Sequence, residues 1–215
     1  IGGTVLNPSL RIVARVHTPI ARANLESFRN IELINPFESF AANIRLDMGS
    51  AEKLRVIEWL SGLPGGWRPE PLNLPKGHWI VCGSGSFSSY LVAALEQAGA
   101  SCSVVSVDVA RQGDPSPLGL QGKSGADLVQ AGIERAVGLV VGTDSDAVNL
   151  ATVTRARLMN PRLYVVMRQA NVANASLIDA SMANLRFVKA DVVSHKARLL
   201  LPSPLLIRYL RYLER

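Results

Sequence analysis

The chain has 215 residues, 48% of them hydrophobic and 19% charged, and carries a net charge of +6. That length can bury one large core or two small ones, and no apolar run reaches the roughly 18 residues that span a bilayer. The basic excess is mostly arginine scattered through apolar stretches, which argues for solvated or ligand-facing side chains and against a nucleic-acid tract. No signal peptide is visible, and a chain that starts at Ile1 is expected to be a fragment or a processed product. Cys82 and Cys102 lie in or beside apolar runs without metal-type spacing, as expected of reduced thiols on a cytosolic face.

The first stretch of the chain repeats its end. "NPSLRIVARVHTPIARANLESF", from Asn7, aligns with "NPRLYVVMRQANVANASLIDAS", from Asn160. Asn-Pro, Leu10 with Leu163, Val13 with Val166 and Arg15 with Arg168 coincide, and further on so do Arg45 with Arg198 and Leu46 with Leu199. About ten identities fall in 56 ungapped positions, and the apolar positions keep step throughout. The spacing predicts that residues 10–14 and 163–167 are equivalent strands. Residues 1–62 then read as the back half of a first unit whose front half is absent. The Pro/Gly-rich stretch at 63–76 reads as a linker, and 77–215 as a complete second unit.

From residue 77 the pattern alternates. "HWIVC" reads as a strand, Ser89 to Ala98 as a helix stopped by Gly99, and "CSVVSVD" as a strand ending in Asp108. "RQGDPSPLGLQGKSG" reads as a loop, "ADLVQAG" as a short helix, "AVGLVVG" as a strand and "DSDAVNLATVTRARLM" as a helix. "LYVVMR" is a strand, "NASLIDASM" a helix and "LRFV" a short strand. Strands that are apolar throughout and alternate with helices predict an α/β fold, a Rossmann-like doubly wound parallel sheet covered on both faces.

"CGSGSFSS" joins the first of these strands to its helix. In such a turn the first glycine permits the bend, the second lets a pyrophosphate approach the backbone, and the third allows close helix packing. Gly83 and Gly85 fill the first two roles, and Ser88 stands in the third. The helix N-terminus offers free N–H groups to a phosphate. Asp108, about 20 residues on, is placed to bind ribose hydroxyls.

Catalytic chemistry is not evident. His17, His78 and His195 are far apart, no zinc-type spacing is present, and there is no G-x-S-x-G elbow. Asp144 and Asp146 could bind a cation, but such acids more often cap a helix, and Asp146 suits that role.

The order Ala131-Gly132-Ile133, a strand, Thr143-x-x-Asp146-x-x-Asn149, a helix, Asn160-Pro161 and then Arg168 resembles the TrkA-type NAD-binding domain. This is the N-terminal lobe of regulator-of-potassium-conductance (RCK, or KTN) domains. The resemblance covers 77–200, and 7–62 is similar to its back half. It implies a cytoplasmic ring or dimer that gates a potassium channel or transporter, on the cytoplasmic face of the membrane. It also implies pairing into a homo-oligomer and a pore-forming membrane segment of the same or a partner chain. The implied ligand is NAD or an adenine nucleotide, ADP or ATP. Its expected contacts are the turn Gly83, Ser84, Gly85, Ser86, Phe87 and Ser88, with Asp108 for the ribose. Thr143, Asp146 and Asn149 are expected to line the cleft at the strand ends, beside Gly142, Asp144 and Arg168. Two places depart from the family's pattern. Ser84 and Ser86 stand for an aromatic residue and an arginine, and Gly122-Lys123 stands for Gly-Asp, where Lys123 favours an anionic ligand.

The reading is a ligand-sensing regulatory region. The alternatives are an NAD-dependent oxidoreductase, against which the absent catalytic constellation argues, and a structural assembly module with a degenerate cleft. The helices at 191–215 are implied to serve crossover and dimerisation. Leu205, Leu206, Tyr209, Leu210 and Leu213 form an apolar stripe, and Leu54, Ile57 and Leu60 beside Trp59 form its counterpart. The two stripes are expected to pack on one another or on a second chain.

Overall fold

The computed structural model describes residues 10, 12–28, 30–49, 52–53, 72–106, 123–181, 183–200, 208 and 212. The stripe residues Leu54, Ile57, Trp59 and Leu60, and Leu205, Leu206, Tyr209, Leu210 and Leu213, lie outside the described residues, as do Asp108 and Gly122.

Two short strands open the chain, β1 (Ile12–Arg15) and β2 (Ile31–Ile34), joined through α1 (Pro19–Glu26). Thr18 starts α1: its hydroxyl accepts from Ala21 N at 3.1 Å, and Pro19 follows with no N–H to orphan. After β2 comes α2 (Pro36–Gly49). The main sheet then builds from β3 (His78–Cys82), α3 (Ser86–Gln97), β4 (Ser101–Val105), α4 (Lys123–Gln130), β5 (Gly138–Val141) and α5 (Asp146–Met159). β6 (Tyr164–Gln169), a 3-10 turn at Val172–Asn174, α6 (Ala175–Asp179), β7 (Leu185–Val188) and α7 (Lys189–Leu200) complete it.

All five strands of the main sheet run parallel, in the order β4-β3-β5-β6-β7. With helices on both faces this is a Rossmann-like α/β fold. Alternate side chains of β3 enter opposite layers, Trp79 and Val81 on one side and Ile80 and Cys82 on the other. Leu128, Ile133, Val153 and Ala156 cover the second side. Burial pushes the Cys82 thiol up to about 12 and that of Cys102, helped by Glu96, to about 11, so both stay protonated. His78 bridges Ser101 Oγ (3.1 Å) and the Ala131 carbonyl (3.0 Å), as a satisfied structural histidine.

The first side is covered from an unexpected direction. Phe37 and Phe40 of α2 meet Phe87 of α3 and Phe187 of β7, with ring centroids 4.9–6.0 Å apart. So α2, which follows the two-stranded sheet in the chain, packs on the five-stranded one. In return α7, which follows β7, lays Leu200 on Ile34 of β2, with Val13, Val193 and Ala197 around them. Each sheet is roofed by the helix that leaves the other.

The two β–helix–β–helix runs match in detail. Residues 10–14 fall in and just before a strand. In both ladders the partners are 19 residues apart, Ile12 with Ile31 and Val166 with Leu185.

Local expectations fail at three helix starts: α3 begins at Ser86, three residues ahead of the expected Ser89. Lys123, Ser124 and Gly125 read as loop, yet they form the first turn of α4. Asp146 reads as the cap of α5, yet Ser145 holds that place, accepting from Val148 N at 3.4 Å.

His195 of α7 gives the fold an acid dependence. Burial first, then Arg198 and Lys196, hold its imidazole below the ordinary 6.5. The folded chain therefore binds fewer protons than the unfolded one between that lowered value and 6.5, so stability falls as pH drops through this window. His195→Gln is expected to flatten the decline below about pH 6.5, measured by urea unfolding at a series of pH values. An unchanged pH profile would assign the acid loss to other groups.

Candidate functional site

β3 lies at the point where the connections turn to opposite sides, with β4 on one flank and β5 on the other. In open parallel sheets this leaves a crevice outside the strands' C-terminal ends. Gly83 follows β3 with φ +117, a conformation other residues rarely adopt. Its N–H donates to the Val105 carbonyl at 2.9 Å, and the Gly142 N–H donates to the Cys82 carbonyl at 2.9 Å. The three strand ends are thus stapled at the crevice floor.

α3 starts there. Gly85 holds its N-cap place without a side-chain cap, and a Cβ built on Gly85 meets nothing within 4 Å. Ser84, Gly85 and Ser86 are exposed, while Phe87 and Ser88 are buried. The free N–H groups of a 12-residue helix therefore face open space, an arrangement that suits an anion. Ser88, 2% exposed, does the packing that a third glycine would do. Its Oγ lies 3.2 Å from where a Gly83 Cβ would sit and 2.9 Å from that of Gly142, and it has no hydrogen-bond partner. Gly142 cannot carry a side chain either, because a Cβ would come within 2.5 Å of the Phe87 ring.

The opposite wall is a hydrogen-bonded knot. Asn149 is 0% exposed. Its Oδ1 accepts from Thr143 N (3.1 Å) and Thr143 Oγ1 (2.6 Å), and its Nδ2 donates to the carbonyls of Thr143 (3.1 Å) and Arg168 (3.0 Å). Asp146 sits in the first turn of α5 and reaches across to the next loop. It accepts from Ala170 N (2.7 Å), Asn171 N (2.9 Å) and Asn174 Nδ2 (2.8 Å). The Thr143-x-x-Asp146-x-x-Asn149 spacing thus ties the β5 loop to the end of β6.

Arg168 ends this wall. It is 4% exposed, donates from Nη1 to the Gly142 carbonyl at 3.3 Å and pairs with Asp144, whose side chain is 86% exposed. Its guanidinium lies 5.3 Å from the Phe37 ring centroid and 6.0 Å from that of Phe87. Neither acid is left for a cation: Asp144 is paired with Arg168 and Asp146 with N–H groups. Among the described residues no three His, Cys, Asp or Glu side chains gather as metal ligands.

Of the residues singled out from sequence, Gly83 to Ser88, Gly142 to Asp144, Asp146, Asn149 and Arg168 lie at the C-terminal ends of β3, β5 and β6, with Ser84 to Ser86 and Asp144 exposed. Lys123 opens α4, its side chain outside the described residues, as are Asp108 and Gly122. Sequence reasoning missed Phe37 and Lys189. The Lys189 ammonium sits 5.2 Å from the Phe37 ring centroid. Burial first, then Arg168, holds its pKa below the ordinary amine range; Arg15 adds to this and Asp144 opposes it.

Residues 79–189, just over half the chain, match the TrkA-N domain. Over 201 residues the chain is 23% identical to an uncharacterized protein of Methanothermus fervidus, covering 86% of the chain and 31% of that protein. A crystal structure of the GsuK RCK domain matches with a TM-score of 0.59 at 15% identity, over 89% of the chain and 56% of that one. A crystal structure of GsuK bound to ADP matches at 0.58 and 18% identity, over 89% and 45%. The chain thus spans about a third of the relative's length and about half of the matched structures'.

Proposed function

The chain belongs to the TrkA-N domain family, and from that premise we propose that its crevice binds an adenine nucleotide as the ligand-sensing part of a potassium channel or transporter. One observation carries this reading: the uncapped N-terminus of α3 opens, at Gly85, into free space at the switch point of the sheet. The ADP named with GsuK supports the ligand class. In this reading the backbone of Ser84, Gly85 and Ser86 takes the phosphates, Asp108 the ribose, and Lys123 a further anionic group. Thr143, Asp146 and Asn149 hold the wall rigid, while Gly142 and Ser88 let α3 lie close to it.

The matching ladders support a division into a half unit at 1–62, a linker at 63–76 and a complete unit at 77–215. The exchanged helices α2 and α7 make the route between them. Nucleotide binding shifts how the two sheets sit, and a pore-forming segment of the same or a partner chain reads that shift. Pairing of like units into an oligomer at the cytoplasmic membrane face completes the proposal. No helix among the described residues is long and apolar enough to cross a membrane.

Titration calorimetry with ADP, ATP, NAD and NADH tests the site. At least one nucleotide is expected to bind, and Asp108→Ala is expected to weaken it about tenfold, since charge-assisted hydrogen bonds contribute roughly 1.5–3 kcal/mol. Silence with all four, from a chain that melts cooperatively, would leave a structural module.

A further inference from the structure

Two cations, Arg168 and Lys189, share the Phe37 ring, and Arg15 ends the matching strand of the other sheet. Arg15 is the last residue of β1, Arg168 lies at the C-terminal end of β6, and Lys189 is the first residue of α7. Arg15 and Arg168 occupy matching places in the two β–helix–β–helix runs. Arg168 and Lys189 stand 5.3 and 5.2 Å from the centroid of one ring, Phe37, which α2 carries in from the other sheet. Such placement over a π-face spares part of the cost of holding positive charge together.

The balance of charge is uneven. Asp144 is the acid that meets this group, and it is paired with Arg168 on its solvent side. Arg15 is exposed and has no ion-pair partner among the described residues. Arg168 is 4% exposed, and its Nε has no hydrogen-bond partner. His17 adds to the crowding: burial first, then Arg15 and Lys189, holds its imidazole below the ordinary range. Cations kept this close, one of them buried with a donor unused, are what a doubly charged anion would relieve.

We infer that Arg15, Arg168 and Lys189 form a phosphate subsite shared by the two sheets, next to the glycine turn and distinct from the N-terminus of α3. Gly142 links the two places: Arg168 donates to its carbonyl, and its Cα abuts Phe87 and Ser88 at the start of α3. A terminal phosphate of a bound nucleotide reaches the subsite if the nucleotide reading holds, on which that source of the phosphate rests. Free pyrophosphate satisfies the same chemistry without it. Either anion joins β1 to β6 through charge and tightens the two sheets against each other.

The test uses the whole chain, with sodium pyrophosphate, ADP and adenosine as calorimetric probes at fixed ionic strength. Arg15→Gln and Lys189→Gln change side chains that are not fully buried, and circular dichroism checks their fold. Arg162→Gln, at the opposite end of the sheet, controls for net charge. Pyrophosphate is expected to bind the parent chain, to weaken about fivefold or more in each of the first two variants, and to be unaffected by the third. ADP binding that weakens by a similar factor, with adenosine unaffected, places the nucleotide's phosphate there. Pyrophosphate weakened by the variants while ADP binds no tighter than pyrophosphate supports the subsite and removes the nucleotide reading. ADP and pyrophosphate binding that both variants leave unchanged overturns the subsite and leaves the nucleotide reading standing. No pyrophosphate binding to the parent chain, or equal weakening by Arg162→Gln, also overturns it.

Discussion

Asn149→Leu is expected to cost about 4 kcal/mol, one of the two largest losses any single replacement here produces. Leucine keeps the branched four-atom shape, is bulkier, and removes all four hydrogen bonds. The Thr143 N–H and the carbonyls of Thr143 and Arg168 then lose their buried side-chain partner, while the Thr143 hydroxyl keeps Ser145 alone. Each orphaned group costs about 1–3 kcal/mol, and partial relaxation or water entry returns some of it. The measurement is the urea midpoint at an unchanged slope. Nucleotide binding should fall as well, because the knot holds the loop that follows Gly142, which abuts Phe87 and Ser88 at the start of α3. A loss under about 1 kcal/mol would show that the Thr143 loop is held by something else.

Phe187→Ala is expected to be comparable, about 3–5 kcal/mol, through lost burial and the cavity left behind. Phe187 is 0% exposed and central to the aromatic group: Phe87 lies 4.7 Å away, Phe40 4.9 Å and Phe37 5.6 Å, centroid to centroid. Two of those rings belong to α2, so the replacement loosens the roof over the five-stranded sheet as well as the sheet. Equilibrium unfolding gives the size of the loss, and near-ultraviolet circular dichroism reports the aromatic packing. If the loss is small and the aromatic signal intact, α2 is held chiefly by its aliphatic contacts instead.

The inner strands β3, β5 and β6 were readable because they are largely apolar on both faces and bounded by glycine, asparagine or proline. The edge strand β4, with Ser101 and Val104 exposed, ends at Val105 and not at the expected Asp108. "LRFV" marks β7 to the residue, and "HWIVC" marks β3. The glycine turn was readable for the same local reason. Helix starts were less so. In "TDSDAVN" two acids and a serine compete for one cap. Which of them wins depends on Asp146 finding the N–H groups of Ala170 and Asn171 across the next crossover, which no local pattern shows. "GKSG" looks like a turn, and the hydrophobic face of α4 overrides that preference. The subsite at Arg15, Arg168 and Lys189 was the least visible part. Arg168 stood out in the motif and the repeat, Arg15 only as its counterpart in the repeat, and Lys189 as nothing at all. What unites Arg168 with Lys189 is the folded position of Phe37, a residue far from both in sequence. The route of α2 was equally hidden, because an amphipathic pattern says that a helix needs an apolar partner and not which one.

The exchange of α2 and α7 has a bearing on how the molecule comes into being. On the ribosome, Phe37 and Phe40 are made well before Phe87 and far before Phe187, the rings they finally touch. Until the last strand is synthesised, the helix that carries them has no complete surface to settle on, and the sheet that needs them cannot settle without reaching back. Pairings this distant along the chain make folding slow and late. The first half of the polypeptide must therefore wait, with two bulky rings uncovered, for the second half to arrive, a period in which a chaperone has most to offer.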